Sequence, residues 1–187
     1  MTAGNPRRYE SDRRGRVIET AINVLAEHGV AGITHRKVAE AADVPLGSMT
    51  YHFSGIDDLV TAAFRQFSLD TASYYQEKLE AARTIEEARE AVVDLACSGV
   101  WQEERNMILL LELYAYMVRK PLIRGFVADW MAGSRRALEQ HFDAQTARSL
   151  DVMLEGVVIQ RYVQPELFSV AEVRAMVCKL SQESESR

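Results

Sequence analysis

Pro45 constrains this chain more than any other residue, because it stands between two short helical runs with almost nothing else to separate them. Proline lacks an N–H and fixes φ, so it breaks a continuing helix but suits the first turn of a new one. Upstream, Thr34 is a side-chain cap, and the run from His35 to Ala42 is rich in helix formers, with Val38, Ala39 and Ala42 spaced to face inward. Downstream, a second short helix starts at Pro45. On it Met49 and Phe53 are i, i+4 neighbours that point to a core, which leaves Gly47, Ser48 and Tyr51 opposite, flanked by Thr50 and His52. The turn position, Asp43, is one of the few residues besides glycine that tolerates a left-handed backbone. Two short helices about a tight turn read as a helix-turn-helix that binds DNA. Small residues let the backbone approach a groove, while hydroxyls and an imidazole N–H donate to phosphates or base edges.

In order and spacing, Thr34, Arg36, Val38, Ala39, Ala42, Val44, Gly47, Ser48, Met49, Tyr51, His52, Phe53, Asp57, Asp58 and Leu59 resemble the TetR family of bacterial transcription regulators. The resemblance is close over roughly the first third of the chain and continues as an all-helical pattern. It implies DNA contacts from Thr34, Arg36, Leu46, Gly47, Ser48, Thr50, Tyr51 and His52, although the helical wheel alone turns Leu46 toward the core. Two positions depart from the family: Ile56 stands where a phosphate-gripping lysine is usual, and Thr50 where an aromatic residue is common.

The formal net charge of −5 looks unsuited to DNA until it is divided along the chain. The first 60 residues hold 7 Lys+Arg against 8 Asp+Glu, but within residues 1–16 five arginines face only Glu10 and Asp12. Arg7, Arg8, Arg13, Arg14 and Arg16 therefore form a basic arm and helix start suited to phosphates or a minor groove. With 187 residues, 48% of them hydrophobic and 26% charged, the chain has the makings of a stable core without staples. No apolar run spans a bilayer and no secretion signal opens the chain, which places it in the cytoplasm. Cys97 and Cys178 lie far apart in helical patterns and read as buried thiols; no metal and no cofactor is expected.

The periodicity predicts helices throughout. The first follows Ser11, carries Val17, Ile18, Ala21, Val24 and Leu25 inward, and ends at Gly29. Ser54 with Asp57 opens a long helix running toward Arg83, Thr84 with Glu87 opens the next, and a run from Met107 to Lys120 stops before Pro121. Three more follow, over Leu122 to Phe142, Ala144 to Tyr162, and Ser169 to about Ser181. The expected architecture is all-α: an arm and helix-turn-helix domain over residues 1–55, joined by the long helix to an effector-binding and dimerisation domain over residues 56–187.

Trp101, Met107, Leu111, Tyr114, Met117, Phe126, Trp130 and Met153 supply large, adaptable side chains, which either pack a core or line a pocket for an apolar or amphipathic small molecule. The pocket reading leans on the family. Leu150, Leu154, Val157, Val158 and Arg161 on one helix, with Val173 and Val177 on the next, are candidates for the four-helix dimer interface that the resemblance implies. A dimer also suits DNA, since two reading helices match a palindromic operator. The expected function is a homodimeric transcription regulator, a repressor released from its operator by a ligand. The alternatives are an architectural DNA-binding protein of the same fold without an effector, and a helical enzyme. The enzyme lacks HExxH, Glu-x-x-His and phosphate-loop signatures.

Overall fold

In the computed structural model, which describes residues 6–182 with side chains from Arg13 onward, nine α-helices follow one another with no strand among the described residues. They are α1 (Pro6–Gly32), α2 (His35–Ala41), α3 (Leu46–His52), α4 (Ile56–Glu80), α5 (Ile85–Cys97), α6 (Glu104–Arg119), α7 (Arg124–Leu138), α8 (Ala144–Val163) and α9 (Val170–Gln182). Short 3-10 turns at Gly99–Gln102, Pro121–Ile123 and Pro165–Leu167 join some of them. The all-α expectation holds. Among the described residues no helix is long and apolar enough to cross a membrane.

Most helix starts follow from capping side chains. The Thr34 hydroxyl accepts the Lys37 N–H at 3.2 Å and opens α2. Thr84 does the same for the Glu87 N–H at 3.1 Å, while the Glu87 carboxylate reaches back to the Arg83 N–H at 2.6 Å. At α9 the box is reciprocal: Ser169 accepts the Glu172 N–H at 3.3 Å and donates its own N–H to Glu172 at 2.8 Å. Asp143 caps α8 through the Gln145 and Thr146 N–H groups.

Two starts differ from expectation. The first helix begins at Pro6 rather than after Ser11, since proline suits an opening turn. It leaves helical geometry at Gly29, where φ is 64°, before a last helical stretch to Gly32. At α4, Asp58 and not Asp57 holds Ser54, accepting its N–H at 2.9 Å and its hydroxyl at 3.1 Å. Asp57 is thereby free for another partner.

The chain forms two compact units. One comprises the residues up to Ser68 with Ile108–Ile123; the other comprises Leu69–Met107 with the chain from Arg124 onward. The described residues up to 55 fall in the first unit, which also takes in the opening of α4 and most of α6. Its buried side chains include Val17, Ala21 and Leu25 of α1, Val38 of α2, Met49 of α3, Leu59 and Phe64 of α4, and Leu109 and Leu113 of α6. Each of these apart from Ala21 contributes about 1.5–3 kcal/mol of apolar burial. Polar contacts add register: Glu112 accepts the Val30 N–H at 3.2 Å, just past Gly29, and Lys120 donates to Asp57 at 2.6 Å. The Tyr116 hydroxyl also donates to Asp57, at 3.0 Å. These hydrogen bonds, from Lys120 first and Tyr116 second, hold the Asp57 carboxyl below its ordinary range.

In the second unit α5 packs against α8 and α9, α7 against α8, and α8 against α9. Arg174 of α9 grips Glu90 of α5 with two hydrogen bonds of 2.6 and 2.8 Å, and Arg89 of α5 reaches Ser181 of α9 at 2.7 Å. Leu150, Leu154, Val157, Val158, Val173 and Val177, candidates for a dimer face, are all buried in the single chain. They hold the subunit's own helices together, because a side chain already packed inside one subunit has no surface left for another. Arg161 is half-buried and donates to the Phe168 carbonyl within its own chain. What α8 turns outward instead is a stripe of Val152, Gly156, Ile159 and Val163, with Val152 and Val163 well exposed.

Candidate nucleic-acid interface

The turn between α2 and α3 is built by backbone hydrogen bonds that close α2 and by one left-handed residue. The Ala42 N–H reaches Val38 at 2.9 Å, the Val44 N–H reaches Ala39 at 3.0 Å, and Asp43 between them adopts φ 51°. Among the described residues Asp43 is the single non-glycine with positive φ. That conformation reverses the chain within three residues, and Pro45 then takes the N-cap of α3, one position before the helix proper.

Burial sets the rotation of α3. Met49 is fully buried and Phe53 nearly so, which fixes the opposite side outward. Tyr51 is 74% exposed and Leu46 51% exposed; Gly47 and Thr50 are exposed, while Ser48 and His52 are half-buried at the margin. Leu46 therefore lies outside the core, contrary to the helical wheel, because the first residue of a short helix is not yet enclosed by neighbouring turns. On α2, Thr34 and Arg36 are exposed. All eight DNA-facing candidates thus have accessible surface on α2, its cap or α3.

The chemistry of individual groups is more specific than the sequence reveals. At Gly47 a methyl group would meet no atom within 4 Å, so packing does not require glycine there. The Thr50 hydroxyl donates back to the Gly47 carbonyl at 3.0 Å, which leaves its oxygen as an acceptor. The Thr34 hydroxyl oxygen is engaged as a cap, but its proton remains a donor to an outside acceptor. Tyr51 meets the His52 ring edge-on at 5.0 Å, and Arg14 of α1 lies over the Phe53 ring at 5.1 Å. Arg14 is thus a basic residue tied to the C-cap of α3, through an aromatic contact with no signature in the sequence. Ile56, half-exposed at the start of α4, brings no charge. The side chains of Arg7 and Arg8 lie outside the described residues.

The second unit shows where the large side chains go. Trp101, Met107, Phe126 and Met153 are buried there and Trp130 is half-buried. Leu111, Tyr114 and Met117 belong to the first unit instead, with Leu111 46% exposed. Two polar residues absent from the sequence reading accompany the first group. Tyr75 is buried and its hydroxyl accepts the Trp101 indole N–H at 2.9 Å, and Asp151 is paired with Arg135 at 3.1 Å. Desolvation pushes both ionisable groups up from their ordinary values. Neither residue lies in a motif; each acquires its environment only when α4, α7, α8 and the Gly99–Gln102 turn pack. Among the described residues no His, Cys, Asp and Glu cluster could hold a metal.

Residues 17–63 match the profile of the bacterial regulatory proteins of the tetR family. The chain is 38% identical to the transcriptional regulator SCO7518 from Streptomyces coelicolor A3(2), covering 90% of this chain and 98% of that one with a TM-score of 0.82. It is 34% identical to the multidrug binding protein EbrR in a structure with ethidium, covering 90% and 98% with a TM-score of 0.73. Other structures of EbrR hold proflavin and malachite green. Over 166 residues, 82% of this chain and 86% of the other, it is 23% identical to the nicotine-responsive transcriptional repressor HdnoR from Paenarthrobacter nicotinovorans.

Proposed function

This chain belongs to the TetR family and is a DNA-binding regulator of transcription, and on that premise we propose that it is a homodimeric repressor released from a palindromic operator by a small-molecule effector. The observation that carries the DNA half is the outer face of α3: a glycine that the chain's own packing does not need stands beside an exposed tyrosine. Gly47 and Ser48 approach base edges, while Thr34, Arg36, Tyr51 and His52 hold phosphates, with Leu46 and Thr50 at the margins. Arg14 supplements the charge that Ile56 does not supply. A reading helix of seven residues spans few base pairs, so two copies are needed for a selective site. The outward stripe of α8 from Val152 to Val163 is the apolar surface available for pairing.

The effector half rests on the relatives. A multidrug binding protein and a nicotine-responsive repressor at these similarities support a small-molecule site in the second unit, among Trp101, Met107, Phe126, Trp130 and Met153. The helices α4 and α6 each pass from one unit into the other, giving ligand occupancy a covalent route to the DNA-binding head. An effector acts only through its differential affinity for the two states. The test is footprinting on the DNA upstream of the protein's own gene, followed by a thermal-shift screen with DNA release as the second readout. A protected two-fold-symmetric site is expected. Absence of any protected site at low salt overturns the DNA reading, and a ligand screen without shift or release overturns the effector reading.

A further inference from the structure

The opening of α4 carries two acids, Asp57 and Asp58, and no base beside them in its first turn. Asp58 is accounted for, since it accepts the N–H and the hydroxyl of Ser54 and so caps the helix. The Asp57 side chain makes no cap. Its two oxygens are taken one each from the end of α6: the Tyr116 hydroxyl donates to Oδ1 at 3.0 Å, and the Lys120 ammonium donates to Oδ2 at 2.6 Å. The Lys120 N–H bonds back to the Tyr116 carbonyl at 2.8 Å, which stacks the two donors one helical turn apart on the same face. Tyr116 is the fixed member, buried with its ring 5.7 Å from that of Phe64. The ion pair itself stays in solvent, with the Asp57 side chain 60% exposed and that of Lys120 47%. Such a pair adds little to stability, so its place matters more than its strength. Asp57 follows His52 by five residues, which at about 3.6 Å per residue puts it no more than about 18 Å along the chain from the outer face of α3. A carboxylate there acts on a phosphate backbone seated on α3, because screening extends over about 30 Å at 0.01 M salt and about 10 Å at 0.1 M.

We propose that Lys120 is a positioning residue for DNA binding: it cancels the Asp57 carboxylate, which would otherwise repel the phosphate backbone beside α3, and so stands in from a distant helix for the cation that position 56 lacks. Without Lys120 the Asp57 carboxyl relaxes toward its ordinary value near 4 and is still an anion at neutral pH, so the repulsion persists. Tyr116 keeps the carboxylate turned toward α6 but brings no charge. Operator affinity thereby depends on the register of α6 against α4 within the first unit. This inference rests on the DNA reading above and adds to it a residue outside α2 and α3.

The test is fluorescence anisotropy of the full chain on a random-sequence duplex and on the footprinted operator, between about 50 and 200 mM salt, with circular dichroism confirming that each variant is folded. Lys120→Met should bind both duplexes about fivefold more weakly at the low-salt end. The deficit should shrink at the high-salt end, with the magnitude of the salt slope lower by about one per subunit. Lys120→Arg should restore wild-type binding. Asp57→Asn should bind about fivefold more tightly than wild type, and the double variant Asp57→Asn with Lys120→Met should return close to wild type, a signed pattern that a loosening of α4 from α6 does not imitate. A Lys120→Met deficit that is constant across salt, or an Asp57→Asn variant no tighter than wild type, overturns the proposal. If Lys120→Met matches wild type while Tyr51→Ala weakens binding to both duplexes, the proposal falls and the DNA reading stands. If wild type binds neither duplex at low salt, the DNA reading falls and takes the proposal with it.

Discussion

At Gly47 a methyl group would touch nothing inside the chain, so the residue separates folding from recognition. Gly47→Ala should raise stability by about 0.4–1 kcal/mol in urea unfolding, because alanine loses less backbone entropy in a helix, while operator affinity falls as the methyl meets the groove. Unchanged affinity would remove Gly47 from the interface. Ser48 and His52 at the margin should instead alter site preference or grip by smaller amounts. The eight candidates came from the family resemblance; the cap at Thr34, the proline and the i, i+4 pair of Met49 and Phe53 that orient α2 and α3 were legible in the sequence, whereas the exposure of Leu46 was not, because the helical wheel does not see that the first residue of a short helix is unenclosed. The Thr50 to Gly47 bond was not, since it depends on a rotamer. Nor was the Arg14 to Phe53 contact, which joins residues 39 apart in sequence.

The elements depend on a few backbone exceptions and on one ion pair. Asp43, at φ 51°, should tolerate glycine with little change, whereas Asp43→Val should cost about 1–2 kcal/mol by forcing a β-branched residue into the left-handed region. Gly29 is stricter: φ is 64° and a Cβ would lie 2.7 Å from the Glu112 carboxylate, so Gly29→Ala should lower the unfolding midpoint by more than Asp43→Gly changes it. The pairing of Asp57 with Lys120 and Tyr116 fastens α4 to α6 within the first unit. Its carboxyl is held below the ordinary value near 4, so the stabilisation is present above that pH and lost as pH falls through the folded value. In urea titrations, wild type should exceed Lys120→Met by a constant small margin from neutral pH down to about 4, and the margin should close at lower pH. A margin that persisted at pH 2 would assign it to packing rather than to charge. Capped helix starts were readable from the sequence, but α1 opens earlier, at Pro6, and at α4 two acids compete: Asp57 and Asp58 both lie within reach of the Ser54 cap, and the choice is made by Lys120, distant in the chain.

At the scale of the whole molecule, which surfaces stay outside decides what the subunit can do. Periodicity marks the inward stripe of α8 and α9 as apolar but does not say whether a helix of the same subunit or of another covers it; α5 does so here. The same limit applied to the pocket candidates, whose division between two units follows from α6 belonging mostly to the first. On the proposed assembly, Val152→Glu combined with Val163→Glu should convert a dimer to a monomer in sedimentation velocity and weaken operator binding, while leaving the helical circular dichroism signal intact. A pair of charges that left the sedimentation coefficient unchanged would move the interface elsewhere. DNA recognition by this chain rests on α3, and the most direct measurement of it is operator affinity by fluorescence anisotropy at fixed salt, for wild type and Tyr51→Ala, on DNA defined by footprinting. The expected result is about tenfold weaker binding by the variant, uniform across operator sequences, with thermal stability unchanged. Equal affinity in the two proteins would contradict the assignment of this face to DNA.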